Sequence, residues 1–75
     1  MNEGKVKIAA GLVPLMQWLY SAGVLSVDGY SGRVHVNESF FRSTFNVFQT
    51  EEWDEKTDKL SYTFEGVEFF TLVDK

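Results

Sequence analysis

The 75-residue chain has no cysteine, a single histidine (His35) and a single proline (Pro14). Without Cys there is no disulfide staple and no thiolate metal site, and one His excludes the His-rich zinc sites. No cofactor or metal is expected. A domain this short rarely reaches more than roughly 3–5 kcal/mol of net stability from its core alone. The devices left are dense aromatic packing and oligomerisation. Seven Phe, three Tyr and two Trp supply the first, because aromatics bury the most area per side chain.

Positive charge is also scarce where negative charge gathers. Residues 1–37 carry two acids against Lys5, Lys7 and Arg33, a net of +1, whereas residues 38–75 carry nine acids against four bases, a net of −5. Phosphate backbones are bound by clustered Lys and Arg, so direct nucleic-acid binding is not expected. The acids concentrate in Glu51, Glu52, Asp54, Glu55 and Asp58, around Trp53.

From Ile8 to Leu25 no residue is charged. Lys5 and Lys7 precede this run, as in a signal peptide, but Gly11, Pro14, Gln17 and Ser21 interrupt it, which suits neither a signal peptide nor a membrane span. A buried helix from Glu3 to Ala22 is expected, with no membrane association. Ile8, Leu12, Leu15, Leu19 and Ala22 recur at three- and four-residue spacing, and Ala9, Val13, Met16 and Tyr20 widen the stripe. Pro14 predicts a kink or break, and Gly23 a helix stop at positive φ.

Ser26 to Gly32 reads as turn chemistry around Asp28-Gly29, and Arg33–Val36 as a short strand. Asn37 has the character of an N-cap for a two-turn helix from Glu38 to Phe45, with Phe41 and Phe45 facing the core. Alternation from Asn46 to Trp53 predicts a strand and residues 54–59 a loop. The segment Leu60–Val73 predicts a hairpin turning at Glu65-Gly66. Its register places Leu60, Tyr62, Phe64, Val67 and Phe69 on one face, against the first helix. Phe70 and Leu72 fall on the other face, covered by that helix or left as a partner or dimer surface. The expected fold is one α+β domain, residues 1–75, with an N-terminal helix and a short second helix on a three-stranded antiparallel meander.

No catalytic constellation is present. His35 stands alone, no Ser lies in a nucleophile elbow, and Gly29-Tyr30-Ser31-Gly32 lacks the lysine of a phosphate loop. The expectation is a non-enzymatic protein that works by protein–protein contact. The acidic run is either a phosphate-mimicking surface for a basic groove, with Trp53 as anchor, or a solvated strand edge. The alternative expectation is a structural module that forms a homodimer through Phe70, Leu72 or the Ile8–Leu25 helix.

The order of Trp18-Leu19-Tyr20-Ser21-Ala22-Gly23-Val24-Leu25, then Asp28-Gly29-Tyr30-Ser31-Gly32-Arg33-Val34-His35-Val36, Phe40, Phe41, Phe45, and the closing Glu65-Gly66-Val67-Glu68-Phe69-Phe70-Thr71-Leu72 resembles a group of small, mostly uncharacterised proteins from phages and prophages of Gram-positive bacteria. The resemblance implies a mobile-element origin and a cytoplasmic setting in the host cell. It carries over no functional residues. Small phage proteins of this kind often inhibit a host machine by binding it, and CRISPR-type defence nucleases are one such target class; this step is analogy.

Overall fold

The computed structural model describes residues 3–75. Seven elements follow one another: α1 (Glu3–Ala22), β1 (Val24–Asp28), β2 (Arg33–Val36), α2 (Glu38–Thr44), β3 (Gln49–Glu52), β4 (Thr57–Phe64) and β5 (Val67–Asp74). The strands form one mixed sheet in the order β1-β2-β5-β4-β3. The chain is α+β, and the expected antiparallel meander is present as β3, β4 and β5. It is, however, only part of the sheet. Ser26–Asp28, expected as part of a turn, belongs to strand Val24–Asp28, with the turn confined to residues 29–32, and β2 pairs in parallel with β5. A bulge between Val24 and Ser26 breaks the alternation of β1, which hides that strand from a period-two reading.

The β4–β5 hairpin has the register its sequence predicts: Phe64 opposite Val67, Tyr62 opposite Phe69, Leu60 opposite Thr71. Gly66 has φ 80° and Glu65 has φ 50°, the two positive φ values that a type I′ turn requires. Glu65 carries a Cβ into that region at a cost. Glu65→Asn is therefore expected to raise stability by about 0.5–1 kcal/mol, read as a higher urea midpoint with an unchanged slope.

The turn between β1 and β2 is built by Asp28. Its Oδ1 accepts from the Tyr30 and Ser31 backbone N–H groups at 2.9 and 3.2 Å, and Gly32 N–H closes on the Asp28 carbonyl at 3.0 Å. Asn37 caps α2 by accepting from Phe40 N–H at 2.7 Å. Arg42 Nε reaches Glu38 Oε2 at 2.7 Å, one turn apart on the exposed side. The opposite side of α2 delivers Phe41, which is fully buried and meets Phe45 and Phe48 at centroid distances of 5.0 and 5.4 Å. Val24, Val36, Phe41 and Leu60 form the buried centre, with Leu19, Val34, Phe40, Phe45, Phe48, Phe69 and Val73 packed around it.

Two features of α1 depart from expectation. It runs unbroken through Pro14, so the break alternative is absent. Pro14 is exposed and falls at seven-residue spacing from Lys7 and Ser21, on the narrow polar side. Nor does α1 bury any residue or cover the hairpin: Ile8 is 72% and Trp18 65% exposed. The hairpin face packs on α2 instead, with Phe45 stacked on Tyr62 at 4.8 Å and tilted on Phe69 at 5.5 Å, and Phe64 is left exposed.

The physical reason lies in the connection and in the beds available. Gly23 passes α1 directly into an edge strand, and α2 already fills one sheet face. The other face carries Arg33, His35, Lys59 and Glu68, which do not make an apolar bed for a helix. A twenty-residue helix is about 30 Å long. The molecule measures 49 × 22 × 21 Å, so α1 cannot lie across the body and must run along the long dimension.

Candidate functional site

Three surfaces need an account. The first is the β3–β4 hairpin, which carries Glu51, Glu52, Trp53, Asp54, Glu55 and Asp58. Glu51 and Glu52 sit on the edge strand opposite Lys59 and Asp58. Trp53 and Asp54 donate their backbone N–H groups to the Thr57 carbonyl at 3.0 and 3.1 Å, which closes the turn. Asp54 Oδ1 accepts from Lys56 N–H at 2.8 Å. Lys75 Nζ lies 3.1 Å from Glu52 and 3.9 Å from Asp58. Part of the acidic run is thus committed inside the fold: Asp54 to a turn, Glu52 and Asp58 to a lysine. Glu51 and Glu55 enter no ion pair among the described residues and stand exposed beside Trp53, itself 56% exposed.

Both turn aspartates are held below the ordinary carboxylate value of 3.8. For Asp28 the largest cause is a hydrogen bond from the Ser31 side chain, followed by backbone bonds from Ser31 and Tyr30; for Asp54 it is the Lys56 backbone bond. A folded value below the unfolded one means that the ionised form stabilises the fold. That contribution is complete above the unfolded value and drains away as pH falls through the lowered folded value. Stability is therefore expected to decline below about pH 4. Asp28→Asn, which keeps an acceptor but no titration, should flatten that decline in acid denaturation followed by circular dichroism.

The second surface holds Phe70 and Leu72, the other two residues singled out from sequence. They face away from α2, as the register requires, and no helix lies on them. Phe70 is half-buried by its own sheet neighbours: His35 stacks on it at 4.6 Å and 5°, and Lys59 Nζ sits 5.3 Å from the ring centroid. Lys59 in turn lies 3.0 Å from Glu68 Oε1, and Arg33 Nε 3.5 Å from the same atom. That oxygen is buried and receives no aligned hydrogen bond, so the two cations hold it by charge. The Lys59 stem lies over the sheet with its side chain only 11% exposed, as a long cationic side chain does when apolar surface is available. Lys59 also stands between the acidic hairpin and Leu72 in the strand register. Glu51, Lys59 and Leu72 therefore lie in one row on the same sheet face, with the lysine between the acid and the leucine.

The third surface is α1, which sequence reasoning assigned to the core. Val6, Ile8, Leu12, Val13, Leu15, Trp18 and Tyr20 are all about half exposed or more. Only near its C-terminal end does the helix join the core, through Leu19. The signal was present in the sequence: two interleaved apolar series make a stripe wider than one sheet face can cover. Edge strand β1 adds exposed Leu25 and Val27.

Chemistry has little to work with. The hollows are shallow, and the most apolar is lined by Phe40, Thr44, Phe45, Phe64 and Phe69, with no titratable group. Among the described residues no three His, Cys, Asp or Glu side chains group to hold a metal, and no helix is long and apolar enough to cross a membrane. Comparison with protein-family models, with curated proteins and with solved structures returns no match.

Proposed function

We propose that this chain is a non-enzymatic protein-binding module whose principal docking element is α1. The observation that carries this reading is the bare apolar surface of α1, because a helix apolar around most of its circumference is normally buried. Ile8→Glu and Leu12→Glu alter exposed side chains outside the core of the domain, so both variants should stay folded and melt cooperatively. Both should lose whatever the wild-type protein binds through α1, read by affinity capture beside the wild type. Capture unchanged by both substitutions would remove α1 from the binding surface.

The acidic hairpin supports a second contact, toward a basic partner surface. It is favoured by the exposure of Trp53 between Glu51 and Glu55, two carboxylates the fold does not use. A buried Trp is a frequent hot spot, and complementary charge speeds encounter. In a phage or prophage setting, that surface suits a host nucleic-acid enzyme whose basic groove it would occupy. Binding through it should weaken steeply as ionic strength rises and again in Glu51→Lys or Trp53→Ala. Affinity flat with salt would exclude the electrostatic mode.

A further inference from the structure

We propose that the occupant of the α1 surface is a second copy of this chain, with the two α1 helices packed antiparallel. This rests on the reading of α1 as a docking element and gives that element a partner.

Three observations point to it. The first is spacing. Ile8, Leu12, Leu15 and Leu19 follow a 4,3,4 repeat, and Val6, Val13 and Tyr20 form a second seven-residue series, as do Ala9 and Met16. A seven-residue repeat of this kind is what lets one helix pack along another. The first seam meets its own domain only at Leu19, and the same line of side chains continues outward past Leu15, Leu12 and Ile8 without cover.

The second is area. The exposed large side chains of α1 leave on the order of 700–800 Å² open to water, close to the roughly 800 Å² per partner of a standard stable interface. A two-fold pair would bury the Ile8, Leu12 and Leu15 part of this surface with the near sides of the flanking side chains, while Val6, Val13 and Tyr20, roughly 100° or more around the helix from that seam, would stay outside it.

The third is charge. The only charged residues of α1 are Glu3, Lys5 and Lys7, all in its first two turns. At its other end, Gly23 is joined to Asn37 by a 2.8 Å backbone hydrogen bond, which sets the Glu38 turn beside the C-terminus of α1. In a parallel pair the two basic ends would lie side by side. In an antiparallel pair each basic end meets the partner's helix C-terminus and the helix dipoles oppose, with Glu38, already held by its own Arg42 at 2.7 Å, beside that end. Gly11, near the middle of α1, has nothing within 4 Å of where a Cβ would stand.

The test is sedimentation of the full chain across micromolar concentrations, with wild type, Leu12→Glu, Val47→Glu and the charge pair Lys7→Glu and Glu38→Lys. The expected result is a concentration-dependent dimer, weakened at least about tenfold by Leu12→Glu and unaffected by Val47→Glu, which alters an exposed side chain elsewhere. Lys7→Glu alone should weaken the dimer and addition of Glu38→Lys should restore it, which a parallel pair would not do. A dimer indifferent to Leu12→Glu overturns the proposal. So does a strict monomer, and the monomer's behaviour then separates the two readings. If it binds an apolar dye, or vesicles of zwitterionic and anionic lipid, in a Leu12-dependent way, α1 remains a docking element for another partner. If it binds neither and its α1 amides are protected from exchange, the docking reading fails as well.

Discussion

Phe41→Ala is expected to leave this domain largely unfolded at room temperature. The Phe41 side chain is fully buried at the centre of the fold. It packs α2 on Val24, Val36 and Leu60 of the sheet, and it holds Phe45 and Phe48 at 5.0 and 5.4 Å. Phe→Ala in such a position costs about 3–5 kcal/mol through lost transfer energy and the cavity left behind. A domain of this size commands roughly the same amount in total. The core has four buried apolar residues, of which Phe41 is the largest, so its loss removes much of the buried centre. The urea curve should lose its native baseline, and the near-ultraviolet circular dichroism should collapse. Phe41→Leu, which keeps most of the volume, should cost less than about 1.5 kcal/mol and retain a cooperative transition.

Gly23→Ala is the second large effect, expected at about 2–4 kcal/mol from backbone strain and the lost cap together. Gly23 has φ 118°, a region that side chains with a Cβ rarely adopt. An added Cβ would stand 2.9 Å from Asn37 Nδ2, 3.0 Å from Asn37 Oδ1 and 3.0 Å from Phe40 Cβ. Those atoms have no slack: Asn37 Oδ1 accepts from Phe40 N–H at 2.7 Å, and Asn37 N–H donates to the Gly23 carbonyl at 2.8 Å. One methyl group therefore disturbs the end of α1, the start of β1 and the cap of α2 together. Gly29→Ala is the contrasting case, with open space around its Cβ position, and should be within about 0.5 kcal/mol of wild type. Paired thermal melts of the two variants check the difference.

The sequence made legible what depends on near neighbours. The hairpin register follows from a two-residue turn with Gly at its second position, and the α2 cap from Asn37 ahead of Glu38. The helix stop at Gly23 needs only local sterics. What it left hidden is non-local. The parallel pairing of β2 with β5 joins segments more than thirty residues apart, and nothing in either segment names the other. One clue was available. Val67, Phe69 and Val73 face one side of β5 while Phe70 and Leu72 face the other, and a strand apolar on both sides reads as the middle of a sheet. Such a strand needs a neighbour on each edge, and β2 is the second one. The expectation that α1 covers Phe70 assigned to a helix what His35 and Lys59 do from adjacent strands.

The candidate surfaces divide in the same way. The acidic hairpin was visible as composition, but its internal pairings were not. Lys75 reaches back to Glu52 and Asp58 only because β5 ends beside β4. The apolar width of α1 was visible too. Its exposure follows from the placement of Gly23 at an edge strand, which depends on the whole sheet.

The central claim is that α1 stands away from the sheet, its apolar surface uncovered by its own domain. The absence of cysteine allows two spin labels to be placed without interference, at Lys7→Cys in α1 and Thr63→Cys on the sheet, in protein diluted with unlabelled chain so that only distances within one copy are read. The fold described predicts a separation well above about 30 Å, since α1 carries Lys7 outward along a helix of about that length. A separation within about 20 Å, the thickness of the body, would mean that α1 lies on the sheet, and would contradict it.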